Sequence, residues 1–253
     1  FIKSIPLIEK ILKITKIHKF VLISFSSRSA HLAMASKSLN IKTIGIMHGL
    51  QQKDYAVYEF MESYNERKKI GCDIYGVWSN HYLEYFQKYS KILNPNEIFY
   101  SGLLRPIENY DSKILFKKIS SKKIKVLLIS EPLISVFEII PYLQCLLKHH
   151  DIEIAIKVRP MIKDIYYEEM LVKFPDINKL KIYDSKIEDV GKNFDVFIGS
   201  NSTAVIEASL FGKISILLNT KKFSDYFDMD TLMPDQLLLV RQPDQLYEHI
   251  IKR

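Results

Sequence analysis

The sequence predicts an α/β fold with two parallel-sheet domains, and three observations carry that expectation. Short runs rich in β-branched and aromatic residues alternate with longer helical patterns almost throughout the 253 residues. A polar stretch, "DSKILFKKISSKK", interrupts the alternation near the middle and reads as a linker. Strand runs repeatedly end in small polar residues and glycine before a helix begins. Alternation of this kind gives parallel strands joined by right-handed crossovers.

Taken in order, the chain opens with "FIKSIPLIEKILKITKIHK", where Ile and Leu alternate with Lys at helical spacing. It reads as an amphipathic helix, since a signal peptide needs a continuous apolar core and a small-residue cleavage site. Strands follow at 19–25, 42–48, 73–79 and 97–102, with helices at Arg28–Leu39 and Asn80–Tyr89 between them. The second half reads "KIKVLLIS" strand, helix to His149, "IEIAIKV" strand, helix to Phe174 and "KLKIYD" strand. Then come "FDVFIGSNSTAVIEASLFGKISILL", a strand, a helix and a strand, and "QLLLV" with a closing helix. The expected layout is two Rossmann-like domains, 1–107 and 123–253, joined by a linker at 108–122 and facing a central cleft. The first has about four strands against the roughly six of a doubly wound sheet, so the expectation includes a truncated or abbreviated N-terminal domain.

Composition narrows the function classes. Hydrophobic residues make up 47% and charged residues 26%, a globular balance. No apolar run approaches the roughly 20 residues that span a bilayer. Cys72 and Cys145 lie far apart in apolar surroundings, which gives no disulfide framework and no Cys-based metal site and fits a reducing cytoplasm. The formal net charge of +7 has two readings: Lys-rich codon usage, or attraction to an anionic partner. The lysines are scattered and neither zinc-finger spacing nor an Arg-rich segment occurs, which argues against nucleic acid.

In open α/β sheets ligands bind outside the C-terminal ends of the strands, so the strand ends are where chemistry is sought. After the strand at 194–198, Gly199, Ser200, Asn201, Ser202 and Thr203 lead into a helix. A helix start carries unpaired N–H groups and a partial positive charge that suit phosphate, and the hydroxyls add donors. Glu207 lies at i+4 from Thr203 on the same helix face, where a carboxylate can accept both hydroxyls of a ribose. The plainer reading of the same residues is an N-cap with a solvated glutamate. The strand at 42–47 ends in His48-Gly49, a candidate general base or phosphate ligand beside a turn-permitting glycine. Asp54 follows in the next loop as a second candidate. "IKVRP" sends Arg159 out at the sheet edge, where its fork can grip phosphate. "YSGLLRP" offers Gly102 and Arg105 as a hinge, and Ser79 reads as an N-cap at a cleft edge.

The order of "IMHGLQQ", "DIYGVWSNHYLEYF", "FYSGLLRP", "IKVRP" and "GSNSTAVIEASLFGKISILL" resembles the GT-B glycosyltransferases. The bacterial branch that builds capsules, lipopolysaccharide and wall polymers is the most similar. The match runs over roughly residues 20 to 220, and its strength lies in order and spacing, since each motif is short. Two positions depart from the pattern: the usual His-Pro turn is Arg159-Pro160, and the hinge reads Gly-Leu-Leu-Arg-Pro. The resemblance implies that Ser200, Ser202, Thr203 and Glu207 contact a nucleotide's phosphates and ribose. It implies that His48 lies near the acceptor or the transferred group, and that neither a metal nor a cofactor beyond the nucleotide-sugar donor is needed.

The function so implied is a cytoplasmic transferase that moves a sugar or polyol-phosphate unit from a nucleotide donor to a surface glycan. The donor carries CMP, CDP, UDP or GDP, the acceptor is a glycan or lipid-linked chain, and peripheral contact with the inner membrane face is a further expectation. Two alternatives share the same residues. One is a nucleotide-sugar 2-epimerase-like enzyme, and the other is a non-catalytic module that binds a glycan or a partner transferase.

Overall fold

The computed structural model describes residues 4–23, 27–47, 71–90, 93–102, 123–131, 133–158, 165–200, 202–210, 212–221 and 237–252. The chain divides into two compact units, Phe1–Glu108 and Asn109–Arg253. In the first unit, helix α1 (Ile5–Thr15) leads to β1 (Lys19–Ile23), α2 (Ser27–Ser38), β2 (Lys42–Ile46), β3 (Ile74–Val77), α3 (Asn80–Tyr89) and β4 (Ile98–Tyr100). Pro6 stands in the first turn of α1, where its missing N–H costs nothing, and Lys16 closes the helix in the left-handed region at φ 53°. The four strands run parallel in the order β1-β2-β3-β4. Tyr75, Val77, Tyr82 and Phe86 form the core under α3, and Leu22, Ala30 and Ala33 form the core under α2.

The second unit contains β5 (Ile124–Ile129), α4 (Val136–Leu146), β6 (Ile152–Lys157), α5 (Ile165–Lys173), β7 (Lys181–Tyr183) and α6 (Ile187–Val190). It continues with β8 (Val196–Gly199), α7 (Thr203–Leu210), β9 (Ile214–Leu218), β10 (Leu237–Val240) and α8 (Leu246–Ile251). All six strands are parallel in the order β10-β9-β8-β5-β6-β7, so the winding direction reverses between β5 and β8. Val126, Leu128, Ile156, Val196, Ile198 and Ile216 are buried between the helical layers. That is why these strands read as near-continuous apolar runs rather than as alternating ones.

One device pins a central strand in each sheet. Asp73, just before β3, accepts from Thr43 N at 2.7 Å while its own amide donates to the Thr43 carbonyl at 3.0 Å. Asp195, just before β8, accepts from Lys125 N at 2.9 Å and donates its amide to the Lys125 carbonyl at 2.9 Å. In both places a carboxylate takes up a strand-edge amide of the neighbouring strand, which fixes the register.

Candidate functional site

The reversal point of the second sheet concentrates polar residues at the C-terminal ends of its strands. β8 ends at Gly199, where an added Cβ would sit 2.9 Å from Val205 Cγ2 and 3.1 Å from the Ile129 carbonyl oxygen. Only a hydrogen fits, and its absence of bulk lets α7 begin directly against β5 and β8. Ser200 is buried with its Oγ 3.1 Å from Thr220 Oγ1, which ties the end of β8 to the segment leaving β9. Ser202 is buried too, and its carbonyl accepts from Val205 N at 3.2 Å in the first turn of α7. The amides of Thr203 and Ala204 precede the first one the helix itself can satisfy, so the helix start presents donors and a partial positive charge. Thr203 and Glu207 are half-buried, one turn apart on α7.

Four more buried polar residues lie at neighbouring strand ends: Ser130 and Glu131 after β5, Lys157 at the end of β6, and Thr220 after β9. Ser130 N donates to the Lys157 carbonyl at 3.0 Å, Lys157 Nζ to the Val158 carbonyl at 2.7 Å, and Leu133 N to Glu131 Oε1 at 3.3 Å. Asn219 donates from Nδ2 to the Arg241 carbonyl at 3.3 Å. Its Oδ1 is buried with no hydrogen-bond partner among the described residues. Behind it, the Tyr142 hydroxyl donates to the carbonyls of Asn219 at 3.0 Å and Val240 at 3.3 Å. Burial holds that phenol above its ordinary pKa, and the charge of Glu138 adds to the shift. Burying a polar group costs stability unless it is hydrogen-bonded. Here such groups gather at the edge where sheets of this kind bind ligands.

The sequence cue for Ser130 and Glu131 is the one that marks Gly199–Thr203. "LLISEP" is an apolar run that breaks into polar residues before a helix, and Ser130 and Glu131 do not figure among the sequence candidates. Lys157 stands in "IKVRP", where Arg159 draws the attention. Thr220 carries no local signal, because its role depends on Ser200, twenty residues away.

At the C-terminal edge of the first sheet, Ser79 is the N-cap of α3 and accepts from Tyr82 N at 3.4 Å. Trp78 Nε1 is buried with no hydrogen-bond partner among the described residues. Ser101 Oγ donates to the Val77 carbonyl at 3.1 Å, and Gly102 follows with φ +73°, a left-handed conformation that favours glycine although space for a side chain is open. His48, Gly49, Asp54, Arg105, Arg159 and Asn201 lie outside the described residues. No helix among the described residues is long and apolar enough to cross a membrane.

No protein-family model matches the chain, and no curated protein matches it by sequence. Solved structures do match. A Methanocaldococcus jannaschii UDP-GlcNAc 2-epimerase in complex with UDP-GlcNAc and UDP superposes with a TM-score of 0.67 at 16% identity, over 99% of this chain and 74% of that one. A Neisseria meningitidis UDP-GlcNAc 2-epimerase bound to UDP-GlcNAc gives 0.67 at 10% identity, over 98% and 72%. Acinetobacter baumannii MurG gives 0.56 at 15% identity, over 99% and 70%. With two parallel-sheet α/β domains and these neighbours, the fold is GT-B-like.

Proposed function

We propose that this protein acts on a nucleotide-activated sugar held at the Gly199–Glu207 junction, and that it transfers the sugar or a polyol-phosphate unit to a bacterial surface glycan. The observation that carries the reading is Gly199, whose missing side chain lets a hydroxyl-rich helix start approach the reversal point of a parallel sheet. In this reading the amides of Thr203 and Ala204 and the hydroxyls of Ser202 and Thr203 hold the donor's phosphates. They stabilise the charge that develops on the departing nucleotide without need of a metal. Arg159 adds a bidentate contact, and Glu207 accepts the ribose hydroxyls. His48 serves as the base or polarises the transferred group, with Asp54 in reserve. Gly102 and Arg105 act as a hinge, and Ser79 borders the acceptor side.

A second reading, a nucleotide-sugar 2-epimerase, is favoured as strongly by the structural neighbours, which are mostly UDP-GlcNAc 2-epimerases. It uses the same phosphate and ribose contacts, so one binding experiment serves both. A thermal-shift panel with CMP, CDP, UDP and GDP should show one selective shift. At about 100 times the dissociation constant the ligand stabilises by roughly 2.7 kcal/mol. Glu207→Ala should lose that shift. No shift with any nucleotide would sink both enzymatic readings and favour a non-catalytic module. Isomerised nucleotide sugar formed without an acceptor would select the epimerase, and nucleotide release that requires a glycan acceptor would select the transferase. His48→Ala should abolish turnover while nucleotide binding stays within about twofold. Normal turnover in that variant would remove His48 from the mechanism.

A further inference from the structure

The strand ladders of the second sheet end where its candidate site begins. The last register pair of β8 and β9 is Gly199 with Leu217, and that of β9 and β10 is Leu218 with Val240. Ser200 lies one residue past the first of these ladders and three before α7. It is held across the sheet by its side chain: the Ser200 hydroxyl lies 3.1 Å from the Thr220 hydroxyl, and both residues are buried.

Thr220 is braced on both sides. The residue before it, Asn219, receives the Tyr142 hydroxyl on its carbonyl at 3.0 Å, and the residue after it, Lys221, donates its amide to the Glu138 carboxylate. Glu138 and Tyr142 stand one turn apart on α4, so a single helix face grips the chain on either side of Thr220. On the β10 side Asn219 donates its amide to the Val240 carbonyl at 3.0 Å and its Nδ2 to the Arg241 carbonyl at 3.3 Å. Every one of these bonds converges on residues 219–221, and the Thr220 hydroxyl carries the constraint to Ser200.

We propose that Thr220, braced by Glu138 and Tyr142, is a positioning residue for nucleotide binding, a role that rests on the nucleotide-site reading. Through Ser200 it sets where the amides of Thr203 and Ala204 stand, and the Ser200 hydroxyl serves Thr220 rather than a phosphate. β8 and β9 are paired and buried up to Gly199 and Leu217 without this bond. Losing it frees the segment beyond the ladder, from which α7 departs. Hydrogen bonds from a helix start to phosphate weaken steeply with poor distance and angle, so a small displacement there lowers affinity. A buried hydroxyl left without its partner lowers fold stability instead, and that loss largely disappears when both partners become apolar groups of similar shape. A double variant therefore separates positioning from folding.

The test titrates the full chain with CMP, CDP, UDP and GDP by calorimetry and follows urea unfolding of each variant by circular dichroism. Thr220→Val should lower the urea midpoint and weaken the nucleotide that wild type binds by about tenfold. Ser200→Ala with Thr220→Val should return the midpoint close to wild type while affinity stays about tenfold weaker. Thr220→Ser keeps a hydroxyl and should restore both. Glu138→Leu should also weaken binding, whereas Glu138→Gln, which still offers an oxygen to Lys221 N, should not. Affinity that recovers together with the midpoint in the double variant makes the pair a fold contact and overturns the proposal. So does weakened binding in Ser200→Ala but not in Thr220→Val, since Ser200 would then touch the ligand itself. A wild type that binds none of the four nucleotides fails the nucleotide-site reading, and the proposal falls with it. A wild type that binds one of them, with every variant binding equally well, overturns the proposal alone.

Discussion

The two sheets of this protein use the same strand chemistry and reach different degrees of burial. In the second, β8 and β9 are buried at every residue and β5 and β6 over their last four. In the first, β1 buries one residue of five and β2 buries alternate residues. Hydrophobicity does not separate them, since "KFVLI" is as apolar as "ISILL" but for its lysine. Strand order does. The second sheet reverses direction between β5 and β8, which distributes its helices over both faces; the first proceeds β1-β2-β3-β4, and its described crossover helices α2 and α3 lie on one face. A run of β-branched residues therefore records that a strand forms, while topology decides how many of its faces leave water.

The most forceful way to break this comparison is to truncate one residue in the apolar rows of each sheet. Leu128→Ala removes a side chain that is 1% exposed in the second core and should cost about 2–5 kcal/mol. Ile23→Ala, at a β1 residue that is 60% exposed, should cost about 0.5 kcal/mol or less. Urea unfolding followed by circular dichroism measures both. Equal losses would mean that Ile23 is buried in solution, and the contrast between the sheets would fall.

A smaller effect separates two glycines. At Gly199 a side chain meets Val205 and the Ile129 carbonyl, so Gly199→Val should overpack the junction and cost about 1–3 kcal/mol. It should also erase the nucleotide-dependent thermal shift, because α7 would be pushed from the sheet. At Gly102 the space is open and only φ +73° resists, so Gly102→Ala should cost about 1 kcal/mol and leave that shift intact. Loss of the shift in both variants would detach nucleotide binding from the close approach at Gly199.

Much of this architecture is legible in the sequence for reasons the structure makes plain. The helix read at Asn80–Tyr89 has those bounds, because Ser79 caps it by accepting from Tyr82 N. The strand read at 42–48 is confined to Lys42–Ile46 as described, since propensity extends past the last ladder pair and pairing does not. The junction at Gly199–Thr203 is legible because glycine and hydroxyl residues interrupt an apolar run. What is not legible is contact between distant segments. Ser200 reads as a helix cap, yet its hydroxyl faces Thr220, and the buried pair of Ser130 and Glu131 gains meaning only once β5 lies beside β8. That Val21 and Ile23 share one face of the first sheet and are exposed there is likewise invisible until register is known.

The finest test of the comparison concerns how the second sheet fastens its rim. Tyr142, on α4, donates to the carbonyls of Asn219 and Val240, and so joins a helix to the ends of β9 and β10. Tyr142→Phe keeps the ring packed and should cost about 1 kcal/mol at neutral pH, the net worth of such a bond. The pH dependence carries the clearer signature. Burial raises the native phenol above the 10.0 expected of it when unfolded, so the unfolded chain ionises first. The stabilising contribution is therefore full below pH 10 and is lost as pH climbs from there through the raised native value. Wild type should lose stability over that alkaline window more steeply than Tyr142→Phe, and the two curves should converge. Parallel curves would show that the hydroxyl is solvated rather than sealed beneath the rim, and that the second sheet is less closed at this edge than its buried strands suggest.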